Sequence, residues 1–279
     1  MSLKHTLGLA LALALTTGTA HADNVLVVLS DADHLDLQAG QVLKTGFYLN
    51  ELMQPVKLLL DAGHQLTFAT PSGVAPSVDA SSVQPMYFNN DAAAMKAHAD
   101  LLQQLALTDR TRSPVLSLAR IEQIGHAQFD AVYIPGGHAP MQDLLQDPAL
   151  GRLLTQFHRH GKPTALVCHG PIALLSTLPD ARGFVAAMEA GLRPAIDPQW
   201  IYRDYNVTVI SNQEEEQAKP QLGGGSMKFY PQSALQQAGV RYQSNATPWT
   251  PKVVVDRELI TGQNPASALA VARALLQRL

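Results

Sequence analysis

The sequence predicts an α/β fold, a three-layer α/β/α sandwich around a mostly parallel sheet. Two observations carry this prediction. Short continuous apolar runs, such as Val25-Leu26-Val27-Val28-Leu29, fit strands buried on both faces. These runs alternate with segments of helical spacing, the order that winds a parallel sheet between layers of helices. A third observation is how two of the runs end, in Pro135-Gly136-Gly137-His138 and in Cys168-His169-Gly170-Pro171. Both turns fall at the carboxyl ends of strands, where such sheets bind ligands.

The elements follow in order. Residues 24–30 form the first buried strand. Residues 48–62 carry Leu49, Leu52, Met53, Val56, Leu59 and Leu60 at helical spacing and stop at Gly63. Pro55 inside that helix predicts a kink or a late start. Residues 64–70 return as a strand that ends in Pro71-Ser72-Gly73, a turn signal, and residues 75–90 read as loop. Helices over 91–107 and 144–160 flank strands at 129–134 and 164–167, and 207–211 and 253–260, the latter in two pieces, complete the strands. Residues 217–225 are a loop whose Gly223-Gly224-Gly225 lacks the lysine of a phosphate loop, leaving a plain surface loop or a lid. Residues 266–279 form the closing helix.

The N-terminus reads as a secretory signal peptide over residues 1–22. Lys4 and His5 precede an apolar stretch, Leu7 to Leu15, too short to span a bilayer as a helix. Ala20-His21-Ala22 is a small-x-small cleavage site. Cleavage after Ala22 leaves residues 23–279 as a single domain, secreted or periplasmic, with no stable membrane association. An uncleaved membrane anchor is the alternative. With 46% hydrophobic and 15% charged residues the chain has the composition of a globular protein with a full core. Its net charge of −3 offers no broad basic surface, which argues against nucleic acid as a partner.

Cys168 is the only cysteine among 279 residues, so no internal disulfide exists and the thiol is free. A thiol at a strand-to-helix elbow is held near the positive end of the next helix, with backbone N–H groups at hand for an oxyanion. That makes Cys168 a candidate nucleophile, against the alternative of an inert core residue. The histidines are scattered, with no H-x-x-x-H or equivalent ligand cluster, so neither a metal nor another cofactor is expected.

Several stretches together resemble one family. They are Thr45-Gly46-Phe47-Tyr48-Leu49-Asn50-Glu51, Phe68-Ala69-Thr70-Pro71-Ser72-Gly73, Tyr133-Ile134-Pro135-Gly136-Gly137-His138, and Val167-Cys168-His169-Gly170-Pro171. Ser211-Asn212-Gln213-Glu214-Glu215, Pro248-Trp249 and Thr261-Gly262-Gln263-Asn264-Pro265-Ala266-Ser267 continue the match. The chain is identified by them as similar to the ThiJ/PfpI superfamily, with its class I glutamine-amidotransferase-like, flavodoxin-like fold. The nearer likeness is to the glutathione-independent glyoxalase (glyoxalase III) and heat-shock chaperone branch.

The resemblance implies roles. Cys168 is the nucleophile and His169 its proton carrier. Glu215, counted from Ser211, orients His169, with Glu214 as the alternative. Glu51 is a buried carboxylic acid that donates to the thiolate and lowers its pKa. The backbone N–H groups of Gly137 and His169 form the oxyanion hole. Gly136 and His138 match the family at the substrate pocket, and Ala139 stands where relatives often carry a second glycine. Tyr48 and Trp249 are candidates to line the same pocket, with plain core aromatics as the alternative reading. The implied reaction needs no cofactor: a 2-oxoaldehyde such as methylglyoxal or glyoxal becomes a 2-hydroxy acid. A cysteine amidase or peptidase using the same residues, and a holding chaperone or redox sensor without turnover, are the rival readings. A homodimer is implied by the resemblance alone.

Overall fold

The computed structural model describes residues 22–279, and the leader expected over residues 1–22 therefore lies almost entirely outside the described residues. The strands are β1 (Asn24–Val28), β2 (His34–Asp36), β3 (Val42–Lys44), β4 (Gln65–Thr70), β5 (Leu116–Ser117), β6 (Ala131–Ile134), β7 (Thr164–Val167), β8 (Asn206–Val207), β9 (Arg241–Tyr242), β10 (Val253–Asp256) and β11 (Leu259–Gly262). The helices are α1 (Leu49–Asp61), α2 (Ala92–Gln104), α3 (Leu118–Ile124), α4 (Pro148–Arg159), α5 (Ala181–Glu189), α6 (Asn212–Ala218), α7 (Pro231–Ala238) and α8 (Ala268–Leu276). Among the described residues no helix is long and apolar enough to cross a membrane.

Seven strands form one sheet in the order β10-β11-β7-β6-β1-β4-β5. Every neighbouring pair is parallel except the β10–β11 hairpin. β6 and β7 are buried along their whole length, as central parallel strands must be when helices cover both faces. Helix α1 packs against α2 and α8, while α4 packs against α3 and the 3-10 helix Gly170–Thr177, and the two groups flank the sheet. The fold class expected from the sequence is the one observed.

Two expectations are corrected. The strand expected over residues 207–211 is not part of the central sheet. Only Asn206 and Val207 are in strand conformation, paired with β9 in a separate two-stranded sheet. Beyond them the backbone serves neighbours instead of a ladder: Thr208 N–H donates to the Thr261 hydroxyl (3.0 Å) and Ile210 N–H to the Cys168 carbonyl (3.1 Å). The late start expected for α1 does not occur either, because the helix runs from Leu49 through Pro55. Proline at position 55 cannot donate to the carbonyl of Glu51 four residues earlier. The buried Tyr133 hydroxyl donates to that carbonyl instead, so the defect in the helix becomes a link between α1 and β6.

Candidate active site

Cys168 follows the last residue of β7 and has φ of +60°, a left-handed conformation that a non-glycine residue adopts only where the surroundings enforce it. Its N–H donates to the Gly262 carbonyl (2.9 Å) and its carbonyl accepts from Ile210, so both peptide groups beside the strained residue are tied down. The chain then enters the 3-10 helix Gly170–Thr177, rather than an α-helix. The sharp turn brings the sulfur to the floor of a cavity of about 530 Å³ that is lined also by His138, His169, Glu215, Tyr48 and Trp249.

The next residue, His169, places Nδ1 3.4 Å from the Cys168 sulfur and Nε2 2.9 Å from Glu215 Oε1. All three side chains are buried. Burial alone would raise the Glu215 carboxyl, but the adjacent His169 outweighs it and holds the group below the usual carboxylate range. Glu215 is therefore charged, which fixes the His169 tautomer with its proton on Nε2 and leaves Nδ1 free to accept from the thiol.

Glu214 has a different place. Both of its oxygens are saturated: Oε2 accepts from Ser211 N–H (2.9 Å), the Ser211 hydroxyl (2.8 Å) and Gln263 Nε2 (2.9 Å), and Oε1 from Asn264 Nδ2 (2.8 Å) and Trp249 N–H (2.8 Å). With Ser211 it forms the capping box of α6. Capping at Ser211 sets the phase of the helix, and the residue after Glu214 in consequence faces His169. Of the three consecutive glutamates, only Glu216 meets solvent, where it pairs with Lys219.

Glu51 lies in the first turn of α1 and is fully buried behind the cysteine. Gly136 N–H donates to its Oε2 (2.8 Å), while Oε1 has no other protein partner and the carboxyl interacts with the Cys168 thiol. Burial pushes Glu51 up to about 8, so at neutral pH the carboxyl is mostly protonated and is a hydrogen-bond donor toward sulfur. Cys168 itself departs from the sequence expectation of a lowered pKa. Burial pushes the thiol up, and Glu51 pushes it the same way whenever that carboxyl is charged. With Glu51 neutral its charge no longer acts, while burial and the nearby charge of Glu215 still hold the thiol up. The resting sulfur is a thiol, and its proton must leave to His169 as a reaction begins.

The glycine turn is built for close approach. A Cβ at Gly136 would sit 2.7 Å from Glu51 Oε2 and 2.8 Å from Cys168 Cβ. Gly137 has φ of +85°, and a Cβ there would meet the Gly46 carbonyl at 2.1 Å. Among the described residues neither Gly137 N–H nor His169 N–H has a hydrogen-bond acceptor, so both are available to an anionic oxygen. Ala139 is buried in a 3-10 turn of ordinary backbone geometry and requires no glycine.

Tyr48 and Tyr87 meet edge to face, their centroids 5.4 Å apart, on one wall of the cavity. Trp249, 41% exposed and at φ of +64°, stands on that cavity's rim with its indole N–H on Gln217 Oε1 (2.6 Å). Sequence reasoning named Tyr48 and Trp249 but missed Asn50, Gln54, Met86 and Tyr87, which line the same space. Asn50 and Gln54 lie one helical turn apart on α1, and that spacing was the available signal. The expectation that no metal is needed rested on sequence spacing. The fold instead gathers His138, His169 and Glu215 from three separate loops and helices, with donor atoms within 4.8 Å of one another.

The chain as a whole is similar to known proteins. The family model described as ThiJ/PfpI family-like matches residues 42–216, more than half of the chain. The chain belongs to the ThiJ/PfpI-like family. Among its relatives is the protein/nucleic acid deglycase HchA of Pseudomonas aeruginosa, 26% identical over 259 residues that cover 88% of this chain and 76% of that protein. The HchA of Staphylococcus aureus is 23% identical over 246 residues, covering 88% and 75%. Two solved structures share the fold: the 24 kDa rapid encystment protein of Francisella tularensis (TM-score 0.69, 25% identity, covering 92% of this chain and 98% of that one) and glyoxalase III of Candida albicans (TM-score 0.69, 18% identity, covering 92% and 97%).

Proposed function

We propose that this ThiJ/PfpI-like protein is an enzyme of the glyoxalase and deglycase type, a lyase that converts 2-oxoaldehydes to 2-hydroxy acids through Cys168. The observation that carries the reading is the Cys168–His169–Glu215 relay opening into a cavity, with the neutral carboxyl of Glu51 behind the sulfur. The names of the HchA and glyoxalase III relatives support the same class of chemistry.

The thiol loses its proton to His169 Nδ1 as sulfur attacks the aldehyde carbon, and the hemithioacetal oxygen is held by the Gly137 and His169 N–H groups. His169 gives that proton to the hemithioacetal oxygen and, neutral again, removes the proton from the carbon bound to sulfur. The resulting enediol is protonated on the neighbouring carbon, which leaves a 2-hydroxy thioester. Water cleaves the thioester, releases the 2-hydroxy acid and returns the thiol. Aldehyde plus water equals hydroxy acid, so no outside oxidant or reductant enters. Proton transfer by a positioned histidine supplies about 10²–10⁴-fold of the rate.

The test is methylglyoxal consumption and lactate formation without glutathione, beside Cys168→Ala. Turnover by the first and none by the second is the expected result, and absence of turnover in both overturns the reading. A second reading is deglycation, favoured by the deglycase name of the HchA relatives and by a cavity far larger than methylglyoxal. It is separated by following release of free amine from a methylglyoxal–amine adduct when free methylglyoxal is scavenged. The leader read in the sequence places the reaction outside the cytoplasm, and N-terminal sequencing of the native protein tests this by beginning at Asp23 or not.

A further inference from the structure

The relay leaves one buried side chain unexplained. His138 is 4% exposed, its ring stands 4.3 Å from the His169 ring, and neither Nδ1 nor Nε2 has a hydrogen-bond partner. An imidazole offers a donor and an acceptor, and a buried one is ordinarily satisfied at one nitrogen at least. His138 is thus an unused ligand aimed into the site.

Its neighbours supply the rest of a set. One donor atom each from His138, His169 and Glu215 lies within 4.8 Å of the other two, and all three side chains are buried. Two imidazoles and one carboxylate are the donors that Zn²⁺ and similar ions take in sites with an open position. The site has an approach from solvent, because all three residues line the 530 Å³ cavity and His138 also lines an adjoining one of about 380 Å³. It has an outer partner too, since His169 Nδ1 is held against the Cys168 sulfur, which leaves Nε2 to point at the carboxylate. Cys168 is not one of the three donors.

We propose that His138, His169 and Glu215 form a binding site for a divalent transition-metal ion, which takes the place of the proton between His169 Nε2 and Glu215 and so shuts the relay off reversibly. The binding half stands by itself. The inhibitory half rests on the reading of Cys168, His169 and Glu215 as a catalytic relay.

The experiment is a titration of the Cys168→Ala protein with Co²⁺, followed by visible d–d absorption, with Zn²⁺ as competitor. The expected result is one ion per chain with nitrogen and oxygen ligation, retained without the thiol. His138→Gln and Glu215→Gln should each weaken binding by about 10–100-fold. Circular dichroism checks that each variant is folded, and His138→Cys, which restores a ligand, should recover affinity where His138→Gln does not. Absence of the absorption band, a need for Cys168, or equal affinity in folded His138→Gln overturns the site. Zn²⁺ that binds but leaves methylglyoxal turnover intact overturns the switch. If the protein turns over no methylglyoxal at all, the Co²⁺ titration still decides the site, and only the proposed reaction falls.

Discussion

His169 Nε2 and Glu215 Oε1 stand 2.9 Å apart in a buried hydrogen bond, while the preceding Glu214 has no oxygen to spare for the histidine. Adjacent glutamates therefore divide two tasks, one electrostatic and one structural. Glu215→Gln keeps the shape but no longer fixes the proton on Nε2, and kcat should fall by about 10²–10⁴-fold with little change in melting temperature. Glu214→Gln keeps one accepting oxygen but turns an NH2 toward the two or three donors held by the other, and should cost about 2–4 kcal/mol of stability, with a far smaller loss of kcat in the folded fraction. Kinetics and thermal melts of the pair check this, and a reversed pattern sinks the assignment.

Glu51 links stability to pH in an unusual direction. Its folded pKa is about 8 against an ordinary 4.5, a shift of roughly 3.5 units or about 5 kcal/mol at 1.36 kcal/mol per unit. Because the folded state holds this proton more tightly, its contribution is fully present below about pH 4.5 and is lost as pH rises through about 8. Glu51→Gln removes that decline, so the variant should gain on the parent protein between pH 5 and 9 in denaturant melts, by an amount that grows with pH. Its activity should fall by about tenfold, since an amide donates to a thiolate more weakly than a carboxylic acid. Equal stability of the two proteins at pH 9 contradicts the burial of a neutral acid.

Much of this was legible in the sequence, and what was missed has physical causes. The runs at β1, β6 and β7 are apolar on both faces, so burial alone announced them. The glycines at 136 and 137 and the cysteine at 168 mark turns that few other residues could make. Glu215 was found by counting, but the reason lies in the Ser211–Glu214 capping box, which sets the phase of α6. The segment after Val207 looked like a strand because Val209 and Ile210 are buried, yet its hydrogen bonds go to Thr261 and Cys168. Apolar pattern reports burial and is silent on hydrogen-bond partners. His138 was judged by its spacing to other histidines, a measure blind to residues that the sheet brings together.

Tyr133 and Pro55 are coupled through the Glu51 carbonyl. Tyr133→Phe removes the donor that replaces the missing proline N–H and leaves a buried carbonyl unpaired, at about 1–3 kcal/mol. Since Glu51 is the residue whose backbone is released, the pH at which activity falls on the alkaline side should move together with stability. Replacing Pro55 by alanine in that background restores an N–H for the same carbonyl and should recover part of both. A double-mutant cycle on melting temperature measures the coupling, and simple additivity of the two substitutions argues against it.

The cavity is the strongest guide to substrate size. Methylglyoxal has few atoms to fill about 530 Å³, and the walls are apolar where Tyr48, Met86, Tyr87, Trp249 and Leu269 meet. A larger 2-oxoaldehyde with an aromatic group, such as phenylglyoxal, desolvates more of that surface while presenting the same reacting carbons to Cys168. Its KM should be lower than that of methylglyoxal, with a similar kcat. The indole of Trp249 is a ring available for stacking at the rim, and Trp249→Ala should raise the KM for phenylglyoxal by about three- to tenfold while changing that for methylglyoxal little. Trp249→Phe keeps a ring but gives up the hydrogen bond to Gln217, so a preserved preference in that variant assigns the effect to stacking. Equal KM values for the two aldehydes in the parent protein instead leave the outer cavity without a role in aldehyde selection.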